Sequence, residues 1–362
     1  MKAINLSVVI PCLNEAKTIV QVIQEALIGL ESSGLSGEII VADNGSTDGS
    51  QSLATQAGAR VVNVPQRGYG AALHYGISAA KGTYVIFGDA DMSYDFKLIP
   101  RFKNFVLEVD DDHKKDFVLG SRFRGEIEPG SMPFLNRYLG TPALNLAIFL
   151  FFGLKTSDCN SGMRLLRTDF YRSLPMRAPG MEWASELIIK SKIMRGRHAE
   201  IPVNLRKDQR GRAPHMRRWR DGWRHLKTIV LLAPNRLIFL PALLVTMLGI
   251  FNFSSNFSMG LSLILVGMVG CCLGLLVKLI LHADGVLASR VVEKLLRLPF
   301  TEFLLGFGVL EMLVGALGWI FLPFTFWYCF LILSGTSLAF TAFTWGVLVS
   351  HTINLLQTSV RD

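Results

Sequence analysis

Two aspartates, Asp89 and Asp91, are the residues of this sequence best placed for chemistry. They follow an apolar run, residues 83–88, that has the length and composition of a buried strand. Where a strand opens into a loop, two carboxylates separated by one residue can converge on one hard cation. A Mg2+ or Mn2+ ion held there could bridge phosphate oxygens. Asp-x-Asp also occurs in ordinary solvated turns, so the pair needs support from the rest of the chain.

The segments before this pair supply that support, because apolar strands alternate with helical stretches as in an open α/β sheet. Residues 6–10 and 38–41 predict two strands, and the loop after the first opens a helix over about 16–30. In such sheets the ligand crevice lies at the carboxyl ends of the strands. The acidic residues of these loops are therefore expected to line one site. They are Glu15, Asp43, Asp89 and Asp91.

Three segments, residues 9–15, 41–49 and 88–91, together resemble the family-2 nucleotide-sugar glycosyltransferases of GT-A fold. The nearest likeness is to polyprenyl-phosphate glycosyltransferases of the dolichol-phosphate mannose or glucose synthase type, and it covers about residues 4–230. The resemblance implies an α/β, Rossmann-like open sheet. It also implies a donor-nucleotide site and a metal site. The donor contacts would be Pro11, Glu15, Asp43 and Ala90, and the metal ligands Asp89 and Asp91. Asn44 stands where many relatives carry a second aspartate, which leaves base preference open.

The segment after the metal pair is expected to bind the acceptor. Residues 116–120 predict another strand, which delivers Arg122 to the same edge. Residues 142–153 form an apolar segment too short to span a bilayer, so it either lies in the membrane interface or packs inside the domain. The resemblance implies that Arg122, Arg137 and Thr141 bind a lipid phosphate. A guanidinium suits this role because it offers paired donors and stays charged.

Asp158 begins a segment that resembles the family's Asp-x-x-x-Gly-Phe-Arg motif, with Met163 in the aromatic position. The resemblance places Asp158 against the sugar and the acceptor. A lipid phosphate is already ionised near neutral pH, so we expect this carboxylate to orient groups before it serves as a base. Arg164 either contacts phosphate or holds Asp158 in place.

A basic stretch with two tryptophans occupies residues 206–227. Nucleic-acid binding is one interpretation of such a stretch. Its position directly before an apolar stretch favours an anionic membrane surface, and we expect no nucleic-acid partner. The family resemblance implies a mobile acceptor loop near residues 207–212 that closes over the donor diphosphate, with Arg210 as the first contact and Arg212 as the next.

Half of the residues are hydrophobic, and Lys and Arg together number 37 against 28 for Asp and Glu. The apolar excess falls after about residue 235, in four stretches near the roughly 20 residues that cross a bilayer. They are residues 237–253, 261–281, 303–322 and 327–349. We therefore predict a catalytic domain over 1–230, including interfacial helices, and a transmembrane domain of four spans over 231–362. A buried helical core is the alternative for these stretches.

The loop charges predict the orientation. Arg290, Lys294 and Arg297 lie between the second and third predicted spans, whereas the other two loops carry no Lys or Arg. Basic loops face the cytoplasm. We therefore expect a multi-pass integral membrane protein whose catalytic domain and both termini are cytoplasmic.

The expected reaction is inverting transfer of a hexose from UDP-glucose or GDP-mannose to polyprenyl or dolichyl phosphate, with Mg2+ or Mn2+. The catalytic residues would be Asp91, Asp158, Arg122 and Arg137. One alternative is a membrane glycosyltransferase that extends a polysaccharide, although no Gln-x-x-Arg-Trp motif is present. Another is a catalytically silent membrane scaffold, and Glu311 in the third span would suit either a helix partner or a polar path. A homo-oligomer is possible, and the sequence does not decide it.

Overall fold

A seven-stranded mixed sheet organises the first part of the chain in the computed structural model, which describes residues 5–105, 114–211 and 218–283. The strands are β1 (Leu6–Cys12), β2 (Gly37–Asp43), β3 (Arg60–Asn63), β4 (Tyr84–Phe87), β5 (Phe117–Ser121), β6 (Arg164–Arg167) and β7 (His198–Pro202). Their order across the sheet is β3-β2-β1-β4-β6-β5-β7. β6 runs antiparallel to β4 and β5, and the other pairings of these strands are parallel.

Helices cover both faces of this sheet, so β1 and β4 are buried along their whole length and are apolar except at Ser7. The helices of the described residues are α1 (Ile19–Ser33), α2 (Ser50–Gln56), α3 (Tyr69–Ser78), α4 (Ile99–Lys103), α5 (Thr141–Phe152), α6 (Thr168–Ser173), α7 (Trp183–Ile193), α8 (Arg218–Leu231), α9 (Leu240–Asn252) and α10 (Phe257–Ala283). α1 begins three residues later than predicted, because the carbonyl of Glu15 accepts bonds from Thr18 and Ile19 in a preceding turn.

The sheet register brings the site-bearing loops to one edge. Cys12 pairs with Asp43, so β1 and β2 end together, and Val9 pairs with the last residue of β4, Phe87. Phe87 also pairs with Arg164, the first residue of β6. Because β6 is antiparallel, the segment that precedes it arrives where its neighbours end. The mixed α/β sheet with this edge confirms the expected fold class of the catalytic part.

The chain divides into two compact units, residues 1–229 and 230–362. In the second unit, the helical segments Asn235–Asn252 and Met259–His282 are long and apolar enough to cross a membrane, by length and composition. They coincide with the first two predicted spans. The predicted third and fourth spans, Glu311 and the basic loop used for orientation lie outside the described residues.

Candidate active site

Hydrogen bonds join the loop after β1 to the loop after β2. Backbone N–H groups of the β1 loop donate, and side-chain oxygens of the β2 loop accept. These bonds run from Asn14 N to Ser46 Oγ at 2.8 Å, from Glu15 N to Ser50 Oγ at 2.9 Å and from Ala16 N to Asp48 Oδ2 at 2.9 Å. Their effect is to fix the loop of Pro11 and Glu15 against the loop of Asp43. The predicted nucleoside-binding residues therefore lie on adjacent strand ends.

Asp43 is buried, and its carboxylate shapes its own turn. Oδ2 accepts N–H bonds from Gly45 at 3.0 Å and Ser46 at 3.0 Å, and a bond from Gln51 Nε2 at 2.6 Å. A carboxylate that accepts bonds from several donors is fixed in orientation. Gln51 carries no motif signal, so the sequence did not identify it as part of the site.

Asn44, the departure from the family pattern, has a structural explanation. Its Nδ2 donates to the carbonyl of Gln66 at 2.7 Å, and its Oδ1 accepts from the N–H of Gly68 at 2.7 Å. An ionised aspartate cannot donate, so it could not make both bonds. The amide thereby holds the turn that leads into α3 and its first residue, Tyr69.

Tyr69 connects this turn to Asp89, because its hydroxyl donates to Asp89 Oδ1 at 2.9 Å. Burial raises the pKa of Asp89, while the Tyr69 hydrogen bond and the charges of Arg210, Arg122 and Arg164 oppose that rise. The charges of three guanidinium groups therefore act on this carboxylate. Tyr69 was missed at the sequence level, since a tyrosine at the start of a helix usually serves packing.

Gly162, the glycine of the Asp158 motif, lies directly against Asp89. A Cβ added at Gly162 would come within 2.5 Å of Asp89 Oδ2 and 2.9 Å of the Tyr94 ring. The N–H of Gly162 donates to the Tyr94 hydroxyl at 2.7 Å. The structure thus joins two motifs that are distant in sequence, and the absent side chain is what permits the contact.

Asp91 is 5% exposed and is held in a tight turn. Met92 has a φ of 68°, which is uncommon for a residue other than glycine, and Ser93 N donates back to Asp91 Oδ1 at 3.0 Å. Arg210 Nη2 forms an ion pair with Asp91 Oδ2, and its Nη1 lies 3.6 Å from Glu15 Oε1. Arg210, the residue of the acceptor loop predicted to contact the donor, therefore pairs with Asp91, a predicted metal ligand. Arg212 lies outside the described residues.

The donor set at this edge fits a divalent cation that is shared with a substrate. Mg2+ is usually bound through one or two carboxylates together with substrate phosphates and water. Asp89 and Asp91 are two such carboxylates, and Asp91 already pairs with a cationic group. Among the described residues there is no cluster of three or more His, Cys, Asp or Glu side chains suited to a metal. In that binding mode, substrate phosphates and water would complete the coordination.

Arg122 and Asp158 form a buried bidentate pair. Asp158 is fully buried and accepts from Arg122 Nε at 2.6 Å, Nη2 at 2.7 Å and the backbone N–H at 3.0 Å. Burial opposes the charge of Arg122, but the neighbouring Asp158 carboxylate, through its charge and hydrogen bond, outweighs burial and raises the pKa of Arg122 overall. The two predicted residues are thus one unit, and Arg122 reaches this edge charged and fixed in position.

Arg164 cannot reach a ligand, because it is fully buried. Its guanidinium donates to three backbone carbonyls, those of Ser161 at 2.9 Å, Ala184 at 2.8 Å and Cys159 at 2.8 Å. Of the two predicted roles, the structure favours holding the Asp158 segment, through its backbone.

Arg137 lies in the short helical segment Asn136–Gly140, and Thr141 is the first residue of α5. Arg137 stacks on the ring of Tyr138 at 5.5 Å, and Thr141 is buried at the start of α5. No hydrogen bond among the described residues joins either of them to the cluster around Asp89 and Asp158. Their predicted role as phosphate ligands remains a prediction.

An exposed apolar surface surrounds Arg137. Its members share an exposure of at least 41% despite large apolar side chains: Phe134, Leu135, Tyr138, Leu139, Leu146, Phe149 and Leu150. In α5, Ile148 is the fully buried position. Of the two interpretations left open by the sequence, the structure favours a surface helix over a packed one. Contiguous exposed apolar area of this kind marks an interaction surface.

α8 carries the end of the basic stretch and is amphipathic. Asp221, His225 and Ile229 face inward, and His225 Nδ1 lies 2.7 Å from Ser185 Oγ on α7. Trp223 is 66% exposed, and Lys227 is exposed one turn later. An outer face with tryptophan and basic groups is typical of helices at a membrane surface.

The fold and this edge define a GT-A-like glycosyltransferase domain, and the chain belongs to glycosyltransferase family 2. Residues 7–174 match the family described as glycosyl transferase family 2. The low-salt glycan biosynthesis hexosyltransferase Agl6 of Haloferax volcanii is 36% identical over 245 residues, which is 68% of this chain and 58% of that protein. The dolichyl-phosphate hexose transferase of the same organism is 30% identical over 174 residues, 46% of this chain and 69% of that protein.

Solved structures are similar to 63% of this chain. Glucosyl-3-phosphoglycerate synthase from Mycobacterium tuberculosis, in complex with Mn2+, uridine diphosphate and glucosyl-3-phosphoglycerate, is 26% identical with a TM-score of 0.50 and covers 63% of this chain and 80% of its own. A complex of that enzyme with Mn2+, UDP-glucose and phosphoglyceric acid is 25% identical with a TM-score of 0.52, covering 63% and 79%. The match spans little more than half the length of Agl6.

Proposed function

We propose that this chain transfers a hexose from a nucleotide sugar to a polyprenyl or dolichyl phosphate at the cytoplasmic face of a membrane, with inversion at the anomeric carbon. One juxtaposition carries the proposal. The Asp89 and Asp91 carboxylates lie at the same sheet edge as the Arg122–Asp158 pair, in a unit with an exposed apolar surface. The two carboxylates suit a metal-bound diphosphate, the Arg122–Asp158 pair suits an anionic acceptor, and the apolar surface suits a lipid.

On the donor side, Asp89 and Asp91 would hold Mg2+ or Mn2+. When bound, the ion would neutralise charge on the leaving nucleoside diphosphate. Arg210, which already pairs with Asp91, would turn to the diphosphate and stabilise the same charge. The nucleoside would lie against Pro11, Glu15, Asp43 and Ala90. The similarity to a synthase crystallised with Mn2+ and uridine diphosphate supports this half of the proposal.

On the acceptor side, Arg122 would position the lipid phosphate, with Arg137 and Thr141 nearer the apolar surface. An oxygen of that phosphate forms the bond to the anomeric carbon while the bond to the nucleoside diphosphate breaks, and the leaving oxygen keeps the electron pair. The phosphate is already ionised near neutral pH, so no base has to take a proton. Asp158 serves to hold Arg122, as the three hydrogen bonds between them indicate.

The membrane part of the proposal rests on two features of the described residues. The first is the pair of helical segments long and apolar enough to cross a bilayer, and the second is the exposed apolar surface around α5. We propose a catalytic domain over 1–230 and a multi-pass domain over 231–362, with both termini cytoplasmic. The relative named dolichyl-phosphate hexose transferase supports the lipid acceptor.

The test is direct transfer. Purified protein in detergent is incubated with polyprenyl phosphate, Mn2+ or Mg2+, and radiolabelled UDP-glucose or GDP-mannose, and label is followed into the organic phase. Label from one donor that is lost with EDTA and in Asp91→Asn is expected. No label from either donor, with protein that binds nucleotide normally, would contradict the proposal.

A second acceptor class has a specific observation in its favour. The similar solved structures are of a synthase crystallised with phosphoglyceric acid, and Arg122 would suit a small phosphate ester equally well. A parallel incubation with 3-phosphoglycerate separates the two. Label in a water-soluble product and none in the organic phase would favour the small acceptor.

A further inference from the structure

Asn145 is an amide within the apolar helix α5, and its contacts surround Asp158. Its Nδ2 donates to the carbonyl of Ser157 at 2.8 Å, and its Oδ1 accepts from the N–H of Cys159 at 3.0 Å. These two backbone groups are those directly before and after Asp158. One side chain on α5 therefore fixes the backbone on both sides of a residue that pairs with Arg122.

The chemistry of the contact requires an amide. Asparagine is a poor residue for a helix interior, where it competes for backbone bonds, so its presence in α5 calls for a partner. Only a side chain with both a donor and an acceptor can satisfy one carbonyl and one N–H together. Glu200 holds the same segment from the other side, accepting from Ser157 N at 3.0 Å and Ser157 Oγ at 2.6 Å.

α5 also carries apolar residues on its outer side, since Leu146, Phe149 and Leu150 are exposed. The helix thus links an apolar surface to the buried pair through one residue. We propose that Asn145 is a positioning residue, which transmits the placement of α5 to the Asp158–Arg122 pair and so sets how Arg122 meets the acceptor phosphate. The inference rests on the proposed function for the identity of that acceptor.

The test compares three replacements of Asn145 with one control. Asn145→Leu removes both bonds at similar size, Asn145→Asp keeps only the acceptor, and Asn145→Gln keeps both chemical groups. Gln24→Glu makes the same amide-to-acid change at an exposed position within α1. We measure kcat/KM for polyprenyl phosphate, KM for the donor, Tm, and hydrogen exchange of the peptide over residues 157–160.

The Leu variant loses two hydrogen bonds and is expected to lose about 10- to 100-fold in kcat/KM for the acceptor, with the donor KM unchanged within about twofold. The Asp variant loses one bond and is expected to lose about 3- to 10-fold. Exchange of the 157–160 amides should accelerate, the Gln variant should recover part of the loss, and Gln24→Glu should match the wild type. A wild-type kcat/KM in the Leu variant, or an equal loss in donor and acceptor parameters, would overturn the inference.

The exchange measurement separates this inference from the proposed function. If wild-type protein labels no lipid phosphate, the proposed function fails, and the positioning role is judged by exchange alone. Accelerated exchange in Asn145→Leu at unchanged Tm then supports the hold on Asp158. Unchanged exchange refutes it, whatever the acceptor is.

Discussion

Replacing Gly162 by alanine tests whether the Asp158 motif and the metal pair form one site. The new Cβ would lie 2.5 Å from Asp89 Oδ2 and 3.1 Å from its Cγ. Ordinary contact begins at about 3.4 Å, so the carboxylate would have to retreat by about 0.9 Å. The Tyr94 ring lies 2.9 Å from the same Cβ, so the new methyl group cannot avoid Asp89 by moving toward this ring.

The expected cost follows from that displacement. A misplacement of about 1 Å in a reacting constellation costs on the order of 100-fold in rate. Overpacking of this size costs about 1–3 kcal/mol of stability, which would leave the protein folded. We therefore expect Gly162→Ala to lose about 100-fold in kcat and to need more Mn2+ for half-maximal binding.

The assays are turnover with the labelled donor and Mn2+ binding followed by electron paramagnetic resonance. Gly222→Ala on α8 is the matched control, because a Cβ there meets nothing within 4 Å. Activity of Gly162→Ala within about threefold of the control, at normal Mn2+ affinity, would refute the reasoning that Gly162 exists to admit Asp89.

Three further predictions concern the same unit. Tyr69→Phe removes the hydroxyl that donates to Asp89 at 2.9 Å. Because this bond supports a predicted metal ligand, its loss should raise the half-saturating Mn2+ concentration about 10-fold. An unchanged Mn2+ titration would contradict this prediction. A lysine in Arg122→Lys cannot make the bidentate pair with Asp158, so the KM for the acceptor should rise about 10-fold while the KM for the donor stays unchanged. A change in the donor KM alone would contradict the role of Arg122 at the acceptor phosphate. Burial, with the charge of Arg164, lowers the pKa of His225 to about 4. Its folded pKa is therefore below the ordinary ~6.5, so stability is full above about pH 6.5 and falls by about 3 kcal/mol as the pH drops toward 4. Thermal unfolding against pH should show a smaller loss in His225→Gln, and an identical slope would exclude His225 as a source.

Strands β1, β2, β4 and β5 could be predicted from the sequence because each is a short apolar run that ends in polar residues. Burial on both faces leaves such runs few alternatives. The same reasoning located Asp89 and Asp91, since a strand end in an open α/β sheet is where ligands bind. Length and composition alone also predicted the first two apolar helices of the second unit.

Contacts between distant segments were not accessible in this way. β6 is four residues long and its sequence, Arg-Leu-Leu-Arg, carries no signal of direction, yet its antiparallel placement brings Asp158 and Gly162 to the edge where β4 ends. Tyr69 acts through one hydrogen bond across 20 positions of sequence, and Asn145 acts through two, across 12 and 14 positions. Such contacts depend on how helices pack on the sheet, which no local pattern records.

The sequence by itself thus determined the positions of four strands, the candidate site residues at their ends and the first two apolar helices, because these depend on residue type and local spacing. Tertiary structure alone decided which groups pair. In the folded chain Arg122 forms a bidentate pair with Asp158, Arg164 donates to backbone carbonyls, and Arg210 forms an ion pair with Asp91. The physical reason is that charge pairing acts over a few ångströms, and only the folded chain fixes those distances.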